Sequence, residues 1–595
     1  MPSAPTCERL KSLKRNVLAL FLAVAGPCLA RPLATPTDLW VWRTAADPRI
    51  NPDGTWVVYI EGWSDPQREA SYSNLRLNSS DGRQHRAFTQ GQWRDRAPRW
   101  SPDSQRIAWI SDRNGKPQLW LRRMDANQDT ALATLQQPLT VAWSPDGNSI
   151  AFTAAVPSQA VPPAWAPPAI LALLEPRARV TIAVFVVPAA GGAPRRLGDP
   201  RLDFVGEPAW MPSGHSILCA EKGGEIFTLR VADGGASQLT REGQVNRDPV
   251  PSPDGIHVAY TAAAAGPEYY ALRSLRVMNA DGSRDRQLAG TLGRDVRHPQ
   301  WSNDSRTVYF IADDRGATHV YAARNEGTVR QLTNRAERLR GFSLADNGRA
   351  VTVRSSATEG AAVFTFATDV PAGGWTLIDV DQELLAGRDW GTVEELPFES
   401  AGKSMQAWLV KPPHFDPTRK YPLVLDIQEP RQMAGVEFQL RQQILTAAGF
   451  VVLRANPRGT PGYGEEFGNL LDTQIPGDPA DDLLRAVDAA VSKGYIDAHH
   501  VSVLGGPLAV ALGARTGRFA AAVTHHLTPG PMDTTPFSGG IKTPTLVIAG
   551  PEDPASELLF IALQKRHVDS VLLRLPLTPP VPVLALQSTL AWLTR

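Results

Sequence analysis

One short motif returns seven times between Ile50 and Phe342, and a chain punctuated in that way has few folds open to it. It is clearest as Trp100-Ser101-Pro102-Asp103-Ser104 leading into Ile107-Ala108-Trp109, and as Trp143-Ser144-Pro145-Asp146-Gly147 leading into Ile150-Ala151-Phe152. Variants are Ile50-Asn51-Pro52-Asp53-Gly54, Trp210-Met211-Pro212-Ser213-Gly214, Val250-Pro251-Ser252-Pro253-Asp254-Gly255, Trp301-Ser302-Asn303-Asp304-Ser305 and a decayed copy at Phe342. Each unit is an aromatic or apolar plug, a Pro-Asp-Gly type of turn and a short apolar strand, which is how sheets built from hairpins are punctuated. Successive starts lie 50, 43, 67, 40, 51 and 41 residues apart, close to the roughly 40 to 50 residues of a four-stranded propeller blade. The expectation is a seven-bladed β-propeller with TolB-like repeats. The one long spacing holds a Pro- and Ala-rich insertion from Val156 to Pro176, expected as a loop at a blade edge. Because pure binding propellers use the same repeat, it specifies architecture strongly and function weakly.

After about residue 370 the repeats stop, and apolar strands alternate with helical patterns. Tyr421 to Ile427, Phe450 to Ala455, Val501 to Leu504 and Thr545 to Gly550 read as buried strands; Phe438 to Ala448 and Asp481 to Lys493 read as helices. Such alternation predicts a mostly parallel sheet covered by helices. The expected division is a signal peptide over 1–30, the propeller over 31–372 and an α/β domain over 373–595.

With 61 basic against 60 acidic side chains, the chain has no charge excess to draw it to nucleic acid or to an anionic membrane. Three scattered cysteines, Cys7, Cys28 and Cys219, support neither a disulfide framework nor a thiolate metal site, and no cofactor is implied. Arg9, Lys11, Lys14 and Arg15 precede the apolar stretch Val17 to Ala25, and Cys28-Leu29-Ala30 supplies small residues for cleavage. That stretch is about 10 residues, short of the roughly 20 needed to span a bilayer. Export to the periplasm or the cell exterior, with the mature chain starting near Arg31, is therefore expected rather than a membrane span.

Within the α/β part, Lys411-Pro412-Pro413, Tyr421-Pro422-Leu423-Val424, Ala455-Asn456-Pro457-Arg458-Gly459-Thr460-Pro461-Gly462-Tyr463-Gly464, Asp481-Asp482-Leu483 and Lys493-Gly494-Tyr495-Ile496-Asp497 carry a resemblance. The sequence resembles the prolyl oligopeptidase family of serine peptidases, particularly its bacterial dipeptidyl-peptidase-like and acylaminoacyl-peptidase-like members. The resemblance implies a propeller followed by an α/β-hydrolase domain, with a Ser-Asp-His triad between them that only short peptides or unstructured protein ends can reach.

The triad is where this chain departs from the pattern. The family's nucleophile stands in Gly-Gly-Ser-Tyr-Gly-Gly, whereas here Gly505-Gly506-Pro507-Leu508 puts Pro507 at the serine position. Proline cannot attack a carbonyl, and its fixed φ implies a rebuilt turn. Pro580 falls where the general base is expected, in Leu575-Pro576-Leu577-Thr578-Pro579-Pro580. Only Asp553, in Gly550-Pro551-Glu552-Asp553, keeps the spacing of a triad acid, as a remnant. Gln428-Glu429-Pro430-Arg431 replaces the His-Gly-Gly-Pro expected at the oxyanion site, and a carboxylate there opposes a developing oxyanion.

Other residues deserve weighing. His525 and His526, after the Phe519 to Val523 strand, are the best candidates for a displaced base or a ligand contact, since ligands of such sheets bind at the carboxyl edge. Ser502 reads as a core serine, Ser538 as a loop serine, and His499 and His500 as turn residues at the opposite edge. Arg458 and Tyr463 border the expected cleft; Arg458 either holds a carboxylate or carbonyl of a ligand, or pins its loop through a buried ion pair. Two functions remain open: a pseudo-peptidase that binds peptides or proteins without turnover, and a working serine peptidase with replacement residues, which would capture a phosphonate.

Overall fold

The computed structural model describes residues 31–126, 128–132, 137–158, 179–241, 243–265, 271–427, 433–469, 477–525, 540–551, 553–575 and 581–595. The expected signal peptide lies outside them. Seven antiparallel sheets follow one another along the chain, over 44–87, 95–131, 137–197, 204–238, 244–287, 296–331 and 338–379. Six have four strands; the third counts five because its first strand is split into Gln137–Pro138 and Ala142–Trp143. These are the blades of the expected propeller.

Apolar side chains fill the spaces between successive blades. Val58, Leu75 and Leu77 of blade 1 pack with Ile107, Trp109 and Trp120 of blade 2, and Ala45, Ile50, Val57 and Tyr59 of blade 1 pack with Ala345, Val351, Val353 and Leu377 of blade 7. Among the described residues no strand is exchanged between the first blade and the last; the ring closes by this packing and by hydrogen bonds such as those of the Asp346 N–H to the Pro52 carbonyl (3.0 Å) and of Asn347 Nδ2 to the Asp53 carbonyl (3.1 Å).

The motif now has a physical reading. In four repeats the plug tryptophan donates its indole N–H to a backbone carbonyl of the preceding blade: Trp100 to Arg49 (3.0 Å), Trp143 to Arg99 (3.0 Å), Trp210 to Ala142 (3.1 Å) and Trp301 to Val250 (3.0 Å). In the turn, Ser144 Oγ donates to Asp146 (2.5 Å) and accepts the Ser149 N–H (2.9 Å), and the same pair of bonds recurs at Ser252 and Ser302. The residue after the Asp or its equivalent is left-handed in all seven turns, from φ 59° at Ser104 to 79° at Gly54 and Gly348, which is why Gly dominates that position.

A second regularity lies in the first strand of six blades, where the register slips beside a left-handed residue: Asp47, Ala97, Gly206, Asp248, His298 and Gly341. These strands line the central channel, and the bulges turn charged side chains across it. Arg99 of blade 2 bonds Asp47 of blade 1 (2.9 Å) and Glu207 of blade 4, and Arg49 of blade 1 approaches Glu207 at 3.8 Å. Burial alone would raise the Asp47 carboxyl, but Arg49 and Arg99 outweigh it and hold it down at about 2.

The α/β part is one eight-stranded sheet: β1 (Thr392–Ser400), β2 (Lys403–Lys411), β3 (Tyr421–Asp426), β4 (Val451–Ala455), β5 (Ile496–Gly505), β6 (Ala521–His525), β7 (Thr545–Ala549) and β8 (Ser570–Arg574), in the order β1-β2-β4-β3-β5-β6-β7-β8. The β1–β2 and β2–β4 pairs are antiparallel and the rest parallel, which is the α/β-hydrolase arrangement. Helices α1 (Leu440–Ala447) and α5 (Val581–Leu593) cover one face, and α2 (Gly477–Val491) and α3 (Pro507–Arg515) the other. Between them the two faces bury Val424, Val452 and Trp592 on one side and Leu425, Leu453 and Leu483 on the other. Helix α4 (Pro554–Gln564) packs over β7 through Leu559 and Leu563.

Three expectations need correction. The outer strand of blade 7 is Trp375–Asp379, beyond the boundary drawn at 372; it carries no repeat motif and so reads as linker. At the other end, residues 33–42 dock on the hydrolase domain as well as touching blade 1: Ala34 joins the hydrolase core, Asp38 pairs with Arg388 (2.8 Å) and Trp42 stacks on Phe438 at 5.5 Å, while Asp38–Val41 lies against the strand Trp56–Asp65. The insertion within 156–176 leaves from a hairpin tip rather than a blade edge, since Ser149–Ser158 pairs with Arg179–Pro188 out to Ser158 opposite Arg179; residues 159–178 lie outside the described residues.

Candidate active site

The loops that follow β3 and β4 meet blade 6, where the Arg315 N–H bonds the Gly462 carbonyl (3.2 Å) and the Val436 N–H the Gly316 carbonyl (3.2 Å), and the turn from β5 into α3 leaves the same carboxyl edge of the sheet. The chain passes through Gly505 and Gly506, the latter at φ −87° and ψ −139°, and enters the helix at once, with Pro507 in its first turn. Proline suits that position because the helix has no partner for its N–H there. No residue from Gly505 to Pro507 is left-handed. Gly505 is tightly seated: an added Cβ would come within 3.0 Å of Ile427 Cβ. From Pro507 to Gly513 every residue of α3 is buried and carries no hydroxyl, thiol or titratable group.

Asp553 stands after β7, where a triad acid would. There it caps α4: the Ser556 N–H donates to Oδ1 (3.0 Å) and the Ser556 hydroxyl to Oδ2 (2.7 Å). His525 ends β6, half-buried and paired in register with Ile548 of β7. His526, Pro580, Ser538 and the Gln428 to Arg431 segment lie outside the described residues.

Arg458 is spent on α2. Its Nε and Nη2 donate to Asp482 (2.9 and 2.8 Å) and its Nη1 to Asp478 (2.6 Å), while its own backbone N–H adds a bond to Asp482 (2.9 Å). The side chain is 9% exposed. Tyr463 sits in a polar row: Asn456 Nδ2 donates to its hydroxyl (2.8 Å), which donates to Gln406 Oε1 (2.7 Å).

Ser502 is at the amino half of the sheet and lines a depression of about 560 Å³ together with Asp497 and His500. His500 Nδ1 meets Asp497 at 2.7 Å, but the Ser502 hydroxyl makes no bond to that imidazole, so hydroxyl, base and acid are not linked. Sequence reasoning passed over two groups. Thr524 lies in register opposite Gly505, with its hydroxyl buried and unpartnered among the described residues. Arg454 is 2% exposed in β4 between Trp408 and Asp426, and its Nε and Nη2 have no partner there. Burial pulls its guanidinium down to about 10, against the pull of Asp426 and Glu437. A lone Arg inside an apolar strand was the available signal.

Fold and site together define a propeller-capped α/β-hydrolase in which the turn from β5 into α3 carries a proline. Comparison with known proteins agrees with that class. Residues 436–529 match the model of the prolyl oligopeptidase family. The chain is 26% identical to the uncharacterised peptidase YuxL of Bacillus subtilis, across 92% of this chain and 95% of that one. It is 22% identical to dipeptidyl-peptidase 5 of Porphyromonas gingivalis, across 82% and 78%. The fold matches the acylaminoacyl peptidase of Pyrococcus horikoshii with a TM-score of 0.77 at 15% identity, across 95% of this chain and 97% of that one. The chain is thus similar to the prolyl oligopeptidase family over residues 436–529 and to peptidases along most of its length. Among the described residues, no helix is long and apolar enough to cross a membrane.

Proposed function

We propose that this chain is a catalytically inactive relative of those peptidases, exported to the periplasm or the cell exterior, that binds peptides or unstructured protein termini without cleaving them. The observation that carries the reading is Pro507, buried in the first turn of α3 where the fold would present its nucleophile. The side chain of proline is hydrocarbon and the lone pair of its nitrogen is delocalised into the peptide bond, so it offers no nucleophile; the residues of a triad act as a unit, so the loss removes most of the chemistry. Two further features support it. Asp553 already gives both carboxylate oxygens to Ser556, and the Thr524 hydroxyl beside the turn is closed off from solvent. Export rests on the basic and apolar stretches within residues 1–30.

The test is intact mass after treatment with a broad fluorophosphonate, run beside an active peptidase of the family. No adduct on this chain, with the control labelled, is the expected result. A stoichiometric adduct would overturn the reading, and mapping it would name a replacement nucleophile.

A further inference from the structure

Along the seam between the domains lies a pocket of about 510 Å³, within the size range of small-ligand sites. Its walls come from both domains. Arg315 reaches in from a hairpin turn of blade 6, held there at φ 47° with its N–H on the Gly462 carbonyl (3.2 Å). Across from it stand Glu395 and Gln406 of the β1–β2 edge and the Tyr463 hydroxyl.

The polar wall is already ordered. Asn456 holds Tyr463, Tyr463 holds Gln406, and Gln406 Nε2 donates to Glu395 Oε1 (2.8 Å), which fixes the carboxylate and leaves Oε2 without a protein donor among the described residues. Burial, reinforced by Glu395, keeps the Tyr463 hydroxyl protonated well above the ordinary phenol range. The Arg315 guanidinium likewise makes no bond among the described residues, while the remaining cation of the pocket, Lys403, is paired with Glu466 (3.2 Å). Two opposite charges therefore stand unneutralised in one pocket, beside the apolar Pro397 and Phe467. Dipolar ligands with an apolar side chain match that pattern. The pocket does not depend on the propeller channel, which the Arg99, Asp47 and Glu207 ion pairs cross.

We propose that the seam pocket binds a short peptide with both ends free, its ammonium on Glu395, its carboxylate on Arg315 and an apolar side chain against Phe467 and Pro397. The proposal rests on the peptide-binding reading and names its site. An occupant would touch both domains, so binding also resists their separation.

Calorimetric titration of the full chain tests it, with leucyl-phenylalanine, its N-acetyl form and its C-terminal amide as probes. Blocking either end is expected to weaken binding by about tenfold or more, the scale of a lost charge-assisted bond. Arg315→Ala should erase the discrimination against the amide and keep that against the acetyl form; Glu395→Gln should do the reverse. Both residues are exposed, so neither substitution empties a core. Equal binding of the three probes to the unaltered chain would overturn the proposal, as would variants that keep both discriminations. If the dipeptides fail while a ten-residue unstructured peptide binds, the seam site falls and the broader reading stands; if nothing binds, both fall.

Discussion

Asp381 is a carboxyl in a place that suits its neutral form. It is 2% exposed and accepts the Arg43 N–H at 2.8 Å, while its other oxygen has no partner among the described residues. Burial pushes it up to about 7, helped by Asp379 and Glu61 and opposed by Arg43. Because this pKa lies above the unfolded value, the native state holds a proton that the unfolded chain lacks between about pH 4 and 7. The resulting stability is complete below the unfolded value and is lost as pH rises through 7. Asp381→Asn keeps an acceptor for Arg43 and removes the titration. The variant is expected to exceed the parent in stability by a few kcal/mol at pH 8, with the gap closing toward pH 4, in urea unfolding at each pH. An unchanged pH profile would contradict it. At this scale the sequence is partly legible. Pro507 and Asp553 could be placed by spacing because strands and turns keep their order, but the capping of α4 by Asp553 depends on Ser556, which no catalytic motif mentions. Asp381 was invisible, since its burial comes from Arg43 and Gly360, far away in the chain.

Elements built from local signals could be read, and those built from long-range ones could not. Each propeller turn carries its own hydrogen bonds, so Ser-Pro-Asp-Gly announces it, and the plug tryptophans mark where blades meet. The hairpin β1–β2 escaped notice: β1 alternates buried and exposed residues, as in Glu395, Leu396, Pro397 and Phe398, without the continuous apolar run that revealed β3 to β5. The bulges in the first strands were equally hidden, since residues as different as Asp47, Ala97 and His298 take the same left-handed geometry. The staple role of the tryptophans is testable. Trp143→Phe keeps an aromatic ring but leaves the Arg99 carbonyl without its donor. It should cost about 1 to 3 kcal/mol, the sum of a lost hydrogen bond and some lost packing, seen as a lower urea midpoint. If the midpoint does not move, the indole N–H contributes nothing to holding blades 2 and 3 together.

At the scale of the molecule the chain crosses between domains twice, near Arg43 and near Asp381, and the Arg43 to Asp381 bond ties the crossings together. The end of the repeats located the second crossing only approximately, because the last strand of blade 7 is defined by its partner and not by a motif. Trp375–Asp379 pairs with Ala362–Ala367, and its Leu377 enters the core shared by blades 7 and 1. A fragment over 31–372 therefore lacks the strand that finishes the ring's closing blade. It also keeps an N-terminal arm whose apolar partners, such as Phe438, are gone. A fragment over 43–380 has seven complete blades, closed by packing and by the hydrogen bonds between blades 7 and 1, and sheds that arm. The expectation is that 43–380 elutes as a monomer and melts cooperatively, while 31–372 associates through the bare edge of Ala362–Ala367 and melts lower. Size-exclusion chromatography with near-ultraviolet circular dichroism melts separates the two results. Equal behaviour of the fragments would mean that the outer strand of blade 7 adds little to ring closure, and that the packing of Ile50, Val57 and Tyr59 against Val351 and Val353 suffices together with the hydrogen bonds of Asp346 and Asn347 to blade 1.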